Sequence, residues 1–424
     1  MNIRQSDYES SRLSRKLGAF DAIVVGLGSM IGAGIFAVLA PAAAAAGTGL
    51  LAGLLIAGLV AYANALSSAS LAARYPQSGG TYVYGRERLG RLWGFVAGWG
   101  FVVGKLASCA AMALTFASYA APAFLRPLAV GAVLVLTTVN YFGIEKTARL
   151  TRVIVAFVLL ALGTVVAIAM LGEHRANDER LLTPTHAYGV LQAAGLWFFA
   201  FAGYARLATL GEEVEDPSRI LPRAIPWALG LTLLIYAAVA VAAVSVVDVE
   251  ALASSEAPLA LVVETAGAPQ WALLVRAGAS VASLGVLMSL IVGVSRTTFA
   301  MAANGDLPRW LAAVHARHKV PHRAELAVGI LVALVVGMAD VRAAIGFSAF
   351  TILVYYMIAN AAALTLGGAD RGWRLGVAIA GLAGCIVLAG TLPFTSVIAG
   401  SAVLVIGVVL HLVRGASSSA SSGR

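Results

Sequence analysis

The sequence predicts an all-α integral membrane protein of about twelve transmembrane helices, with both termini on the cytoplasmic side. Three observations carry this expectation. Of 424 residues, 60% are hydrophobic and 12% are charged, about half the charge of an ordinary soluble domain. The apolar residues gather into runs long enough to cross a bilayer. The basic residues fall between those runs, densely on one side and sparsely on the other.

The same composition excludes other classes. Twenty acids and twenty-nine bases cannot solvate the two or three domains that a soluble chain of this length would form. The apolar content excludes a disordered chain. Short alternating segments, the mark of a membrane barrel, are absent from the sequence. The net charge of +9 forms no basic stripe, so no nucleic-acid partner is expected. Cys109 and Cys385 lie in apolar runs far apart and read as small core residues.

The runs cover 20–45, 49–73, 93–121, 127–143, 150–172, 187–211, 224–247, 270–300, 324–340, 343–367, 373–391 and 393–413. The fourth and ninth are the shortest. With a cytoplasmic N-terminus, inside segments hold 22 Lys and Arg and outside loops hold 4. Residues 1–19 form a basic cytoplasmic segment without a cleavable signal pattern. The loop after the seventh run carries Asp248, Glu250, Glu256 and Glu264 and no base, as an outside loop can. The Ser- and Ala-rich tail, 414–424, is expected to be disordered.

Two runs are interrupted. The first reads Val25-Gly-Leu-Gly-Ser-Met-Ile-Gly-Ala-Gly-Ile-Phe36, with four glycines at mid-membrane depth. The sixth reads Trp197-Phe-Phe-Ala-Phe-Ala-Gly-Tyr-Ala-Arg206, with Gly203 at its middle and a charge just after. Breaks five spans apart point to a transporter built on an inverted repeat. Unwound backbone at this depth is tolerated where it lines a cavity or meets a ligand. The half-helix after a break presents free N–H groups to an anion, and freed carbonyls suit an ammonium. An α-amino acid has both groups.

Several separated blocks make the sequence similar to amino-acid permeases of the APC (amino acid–polyamine–organocation) superfamily. They are Gly28-Ser-Met-Ile-Gly-Ala-Gly-Ile-Phe36, Tyr75-Pro-Gln-Ser-Gly-Gly-Thr-Tyr82 with Gly94-Phe-Val-Ala-Gly-Trp99, and Phe198-Phe-Ala-Phe-Ala-Gly203 with Glu212-Glu-Val-Glu-Asp-Pro-Ser-Arg219. Ala303-Asn-Gly-Asp-Leu-Pro308 and Tyr355-Tyr-Met-Ile-Ala-Asn360 complete the set. The resemblance implies a five-plus-five inverted repeat of the LeuT-like fold. Its first half would be 20–172, its second 187–367, with 373–413 as two further spans. It implies that Ser29, Met30, Ile31, Gly32, Ala33 and Gly34 receive the substrate carboxylate through backbone N–H groups. Carbonyls near Ser29, Met30, Phe199 and Ala202, beside Gly203, would take the amino group. Phe199 and Phe201 fall where relatives place aromatic gates. Two positions depart from the pattern. Where many proton-coupled relatives carry a lysine in the fifth span this chain has Val158, and the glutamate that often follows the second break is absent.

Three bases lie inside apolar runs. Lys105 sits near the middle of the third span without a deep carboxylate in any run. Such a charge costs roughly 2.5–3.5 kcal/mol on insertion scales. A lysine can answer burial by releasing its proton, and an arginine cannot. Lys105 is therefore the candidate proton carrier, the alternative being a fixed charge that caps backbone carbonyls. Arg206 is read as part of an inner gate with Glu212 or Glu213, the alternative being a contact to an anionic substrate. Arg276 is expected to snorkel toward headgroups.

The sequence thus reads as a secondary active amino-acid transporter, with proton as coupling ion and alternating access as its cycle. Amino-acid or polyamine exchange is the alternative, and a channel or receptor is disfavoured because no filter loop is present. No enzymatic chemistry, cofactor or metal site is expected. The six histidines lie in loops or at span ends, and His315, His318 and His322 read as a basic inner loop. Arg outnumbers Lys 25 to 4, which suits a GC-rich bacterial genome and a cytoplasmic membrane.

Overall fold

Backbone polar groups in a bilayer have no water to bond, so each apolar run closes its own hydrogen bonds as helix. A computed structural model describes residues 18–32, 34–75, 79–143, 148–172, 186–204, 214–367 and 371–421. Among the described residues sixteen α-helices follow one another, with no sheet. The first span is split into α1 (Ala19–Met30) and α2 (Gly34–Ala46), and α3 (Leu50–Arg74) is the second. A short α4 (Thr81–Leu89) leads into α5 (Arg91–Ala120), followed by α6 (Leu125–Tyr141) and α7 (Ala148–Leu171). The sixth span begins as α8 (Ala187–Phe201), and α9 (Pro217–Val246) is the seventh. Two short outer helices, α10 (Val249–Ser254) and α11 (Pro258–Thr265), precede α12 (Ala272–Ala303). The last spans are α13 (His322–Met338), α14 (Val341–Leu364), α15 (Arg371–Thr391) and α16 (Phe394–Ser421).

Among the described residues, nine helical stretches are long and apolar enough to cross a membrane, and one of them, Gly34–Arg74, contains both α2 and α3. The shorter pieces are α1 with 12 residues, α8 with 15 and α13 with 17. Two of these are short because they stop at the interruptions. At about 1.5 Å per residue, α13 is the compact ninth span that the sequence predicts.

Four differences from the sequence reading have physical reasons. The sixth run was expected to 211, but α8 ends at Phe201 and a tight turn covers Ala202–Tyr204; 205–213 lie outside the described residues. The segment between the second and third spans contains α4, which buries Tyr82 and Tyr84 while Glu87 is exposed. Mixed polarity hid it from an apolar scan, and Gly90, at φ 101°, makes the left-handed turn into α5 that a side chain would strain. The outer loop folds as α10 and α11 for the same reason. Finally, α16 runs on to Ser421 where disorder was expected, since the Ala and Ser of the tail extend an existing helix at little cost.

Burial sorts the spans. In α5, 78% of the apolar window is buried, against 22% for α6 and 17% for α16. α5 is rich in Gly and Ala, which let neighbouring backbones approach, and it packs against both α12 and α14. On the other side α8 packs against α2 and α3, while α9 packs against α1 and α3. The two interruptions therefore lie where α1, α2 and α8 face α5 and α12. Exposed Leu134, Leu334, Val405 and Val409 cover the outer helices, as lipid contact requires. Exposed Trp93, Trp271 and Trp373 lie near span ends, the level of an aromatic belt.

Candidate functional site

Helix α1 loses its register at Met30. Ile31 still donates its N–H to Leu27 O at 2.7 Å, and the helix restarts at Gly34. The second break follows Phe201. The two broken segments touch through their backbones. Ser29 Oγ lies 2.8 Å from Gly26 O and 3.0 Å from Gly203 O and donates to both. A Cβ built on Gly203 would stand 2.0 Å from Ser29 O, and one on Gly34 would stand 2.9 Å from Ala200 Cα. No side chain fits at either contact.

Tyr236 of α9 joins the two breaks from behind. Its buried hydroxyl donates to Met30 O and lies 3.3 Å from Ala200 O. Its ring sits 5.3 Å from that of Phe201 and 6.0 Å from that of Trp197. Trp197 Nε1 in turn donates to Leu50 O at 3.1 Å. Above the site, Tyr119 Oη donates to Phe36 O at 3.3 Å and accepts from Leu259 N at 3.2 Å. That pair of bonds pins the outer helix α11 over α2 and α5.

Between the breaks and α5 lies a cavity of about 40 Å³, room for roughly three water molecules. Ser29, Met30, Gly34, Phe199, Ala200 and Gly203 form one wall. Lys105, Ser108 and Met112 of α5 and Val286 and Leu290 of α12 form the other. Lys105 is 7% exposed. Among the described residues it forms no hydrogen bond or ion pair. One turn away, Ser108 Oγ is 2.7 Å from Ser348 Oγ of α14, which holds α5 and α14 in register beside the lysine.

The sequence-derived residues divide as follows. Ser29, Met30, Gly34, Phe199, Gly203 and Lys105 line the cavity. Ile31 is buried in the core, with its N–H already used. Gly32 packs on α12, where a Cβ would meet Val286 Cγ2 at 2.0 Å. Phe201 is fully buried against Tyr236, and Ala202 is buried in the turn; neither lines the cavity. Ala33 and Arg206 lie outside the described residues. The Met30 carbonyl, expected to be free, accepts from Tyr236. Arg276, near the outer end of α12, also has partners within the protein: Nη2 lies 3.4 Å from Glu264 and Nη1 3.4 Å from Tyr119 O. This ties α11 to α12.

Sequence reasoning missed Ser108, Met112, Val286, Leu290 and Tyr236. Tyr236 had a signal, being a tyrosine in the middle of an apolar run whose hydroxyl must find an acceptor. The apolar wall residues had none, because Met, Val and Leu look alike on every face of a membrane helix.

Spanning helices with two interruptions that meet at a cavity are the build of a solute transporter. The amino acid permease family matches residues 17–413, and the chain belongs to that family. It is a multi-pass cell-membrane protein. It is 60% identical over 404 residues to an uncharacterized transporter of Mycobacterium tuberculosis, covering 95% of this chain and 92% of that one. It is 29% identical over 346 residues to the branched-chain amino acid permease BcaP of Bacillus subtilis, covering 76% and 74%. It is 26% identical over 386 residues to the chloroplastic cationic amino acid transporter 7 of Arabidopsis thaliana, covering 82% and 65%.

Proposed function

We propose that the chain is a secondary active carrier, not an enzyme, which moves α-amino acids across the cytoplasmic membrane by alternating access and couples that movement to protons. The observation that supports this reading is the cavity at the junction of the two breaks, with Lys105 in its wall. The substrate carboxylate goes to the first-turn N–H groups of α2 at Gly34, where the helix dipole favours an anion. The amino group goes to carbonyls at the second break, near Phe199 and Ala202. Phe199 serves as the aromatic gate. The halves 20–172 and 187–367 act as inverted repeats about this cavity.

Lys105 carries the coupling proton. It is buried in the cavity wall with no carboxylate beside it among the described residues, so its charge state answers to the ligand and to the side from which the cavity is open. The test is uptake into proteoliposomes with and without an inward proton gradient. The wild-type chain is expected to accumulate substrate when the gradient is imposed. Lys105→Gln should lose that accumulation and keep exchange against internal amino acid. Full proton-driven accumulation by Lys105→Gln would overturn the assignment, and wild-type uptake that requires internal amino acid would make the chain an exchanger.

A further inference from the structure

Family membership alone does not fix which side chains the cavity accepts, since the relatives include a branched-chain permease and a cationic amino acid transporter. The walls of the cavity differ in chemistry, and that difference bears on the choice. The wall made by the breaks offers backbone N–H and C=O groups and the Ser29 hydroxyl, which suit the parts common to all α-amino acids. The wall made by α5 and α12 faces the variable side chain. Its members are Lys105, Ser108, Met112, Val286 and Leu290. None of the described residues lining the cavity is acidic. The Ser108 hydroxyl is engaged with Ser348 at 2.7 Å, which leaves an ammonium among apolar groups.

We infer that Lys105 is a specificity-determining residue, which excludes amino acids with cationic side chains and leaves neutral, aliphatic ones as the substrate class. A substrate ammonium or guanidinium placed against this wall would be desolvated next to a like charge, with no carboxylate among the described lining residues to offset it. Two like charges about 8 Å apart, at an effective dielectric constant of about 20, disfavour binding by roughly 30-fold. Aliphatic side chains incur no such cost, and they cover Met112, Val286 and Leu290.

The inference rests on the amino-acid transport reading, and one experiment separates the two. Purified full-length protein in proteoliposomes is given radiolabelled L-alanine, L-leucine, L-lysine, L-arginine and putrescine in separate assays. The wild-type chain should take up alanine or leucine with kcat/KM at least about 30-fold above lysine, arginine and putrescine. Lys105→Gln should narrow that ratio about tenfold, and Lys105→Glu should invert it. Lys105→Met reports charge removal if the glutamate variant does not elute as a single species. Wild-type uptake of lysine or arginine equal to that of leucine would overturn the inference and leave the transport reading standing. An unchanged ratio in both Lys105→Gln and Lys105→Met would also overturn it. Uptake of none of the five by wild-type protein would remove the transport reading and the inference with it.

Discussion

Two polar clusters lie at different depths in this molecule and handle buried charge in opposite ways. At the breaks the polar atoms are mostly backbone, and among the described residues Lys105 is the one charged side chain in the cavity wall. At the inner face a carboxylate forms the centre. The Asp306 side chain is 1% exposed and lies 3.4 Å from Arg91 and 3.7 Å from Arg86. It also accepts from Tyr82 Oη at 2.7 Å and lies 3.8 Å from His411 Nδ1. These partners come from α4, α5 and α16, so one side chain gathers three elements. A buried charge surrounded by partners is a fixed anchor, and removing a partner costs stability. A buried charge without partners is free to answer to whatever enters. The contrast separates the part of the molecule that holds from the part that works.

The strongest way to break this comparison is to disturb the contact between the breaks. Gly203→Val would force side-chain atoms into the Ser29 carbonyl, where even a Cβ stands at 2.0 Å. Backbone cannot yield as a flexible side chain can, so the cost exceeds the roughly 1–3 kcal/mol of ordinary overpacking. Transport should fall below detection while the variant still elutes as a single species on size exclusion. Uptake within a few-fold of wild type would show that the two breaks need not touch.

Tyr236→Phe is the next largest. It removes the hydroxyl that bridges Met30 O and Ala200 O and keeps the ring against Phe201. Unsatisfied buried acceptors cost about 1–3 kcal/mol, so the melting temperature should drop by a few degrees. With the Met30 carbonyl released, substrate KM should also change. A melting temperature and KM equal to wild type would mean that Tyr236 merely fills space.

The sequence makes the spans and the breaks legible because both are properties of runs. Apolar length marks a helix that lipid will accept, and glycines at Gly34 and Gly203 mark where backbone approaches backbone. Lys105 is legible because a charge in a long apolar run is costly to insert and so stands out from its neighbours. The inner hub is not. Asp306 sits in a loop, and its partners Tyr82, Arg86, Arg91 and His411 are scattered over more than 300 residues. No local pattern announces that they converge. The α5–α12 wall is hidden for a different reason. Apolar side chains facing lipid and those facing a cavity have the same composition, and only packing tells them apart. Phe201 illustrates the limit: it is two residues from Phe199, and the turn of about 200° that this makes on a helix carries it from the cavity into the core.

The smallest expected effect sharpens the comparison from the inner side. The Tyr82 hydroxyl is pushed up to about 12 by burial and, after that, by its bond to Asp306. An unfolded tyrosine titrates near 10. The unfolded chain therefore gives up this proton at lower pH than the folded one. The contribution of Tyr82 to stability is complete below about pH 10 and is lost as pH rises from there to about 12. Melting of detergent-solubilised protein, followed from pH 9 to 12, should show that loss. Tyr82→Phe should have a shallower decline over the same range, and Asp306→Asn should lie between them, since burial remains and the carboxylate is gone. A Tyr82→Phe variant that declines as steeply as wild type would mean that the proton in question is held elsewhere. The inner cluster would then be less of an anchor than its distances imply.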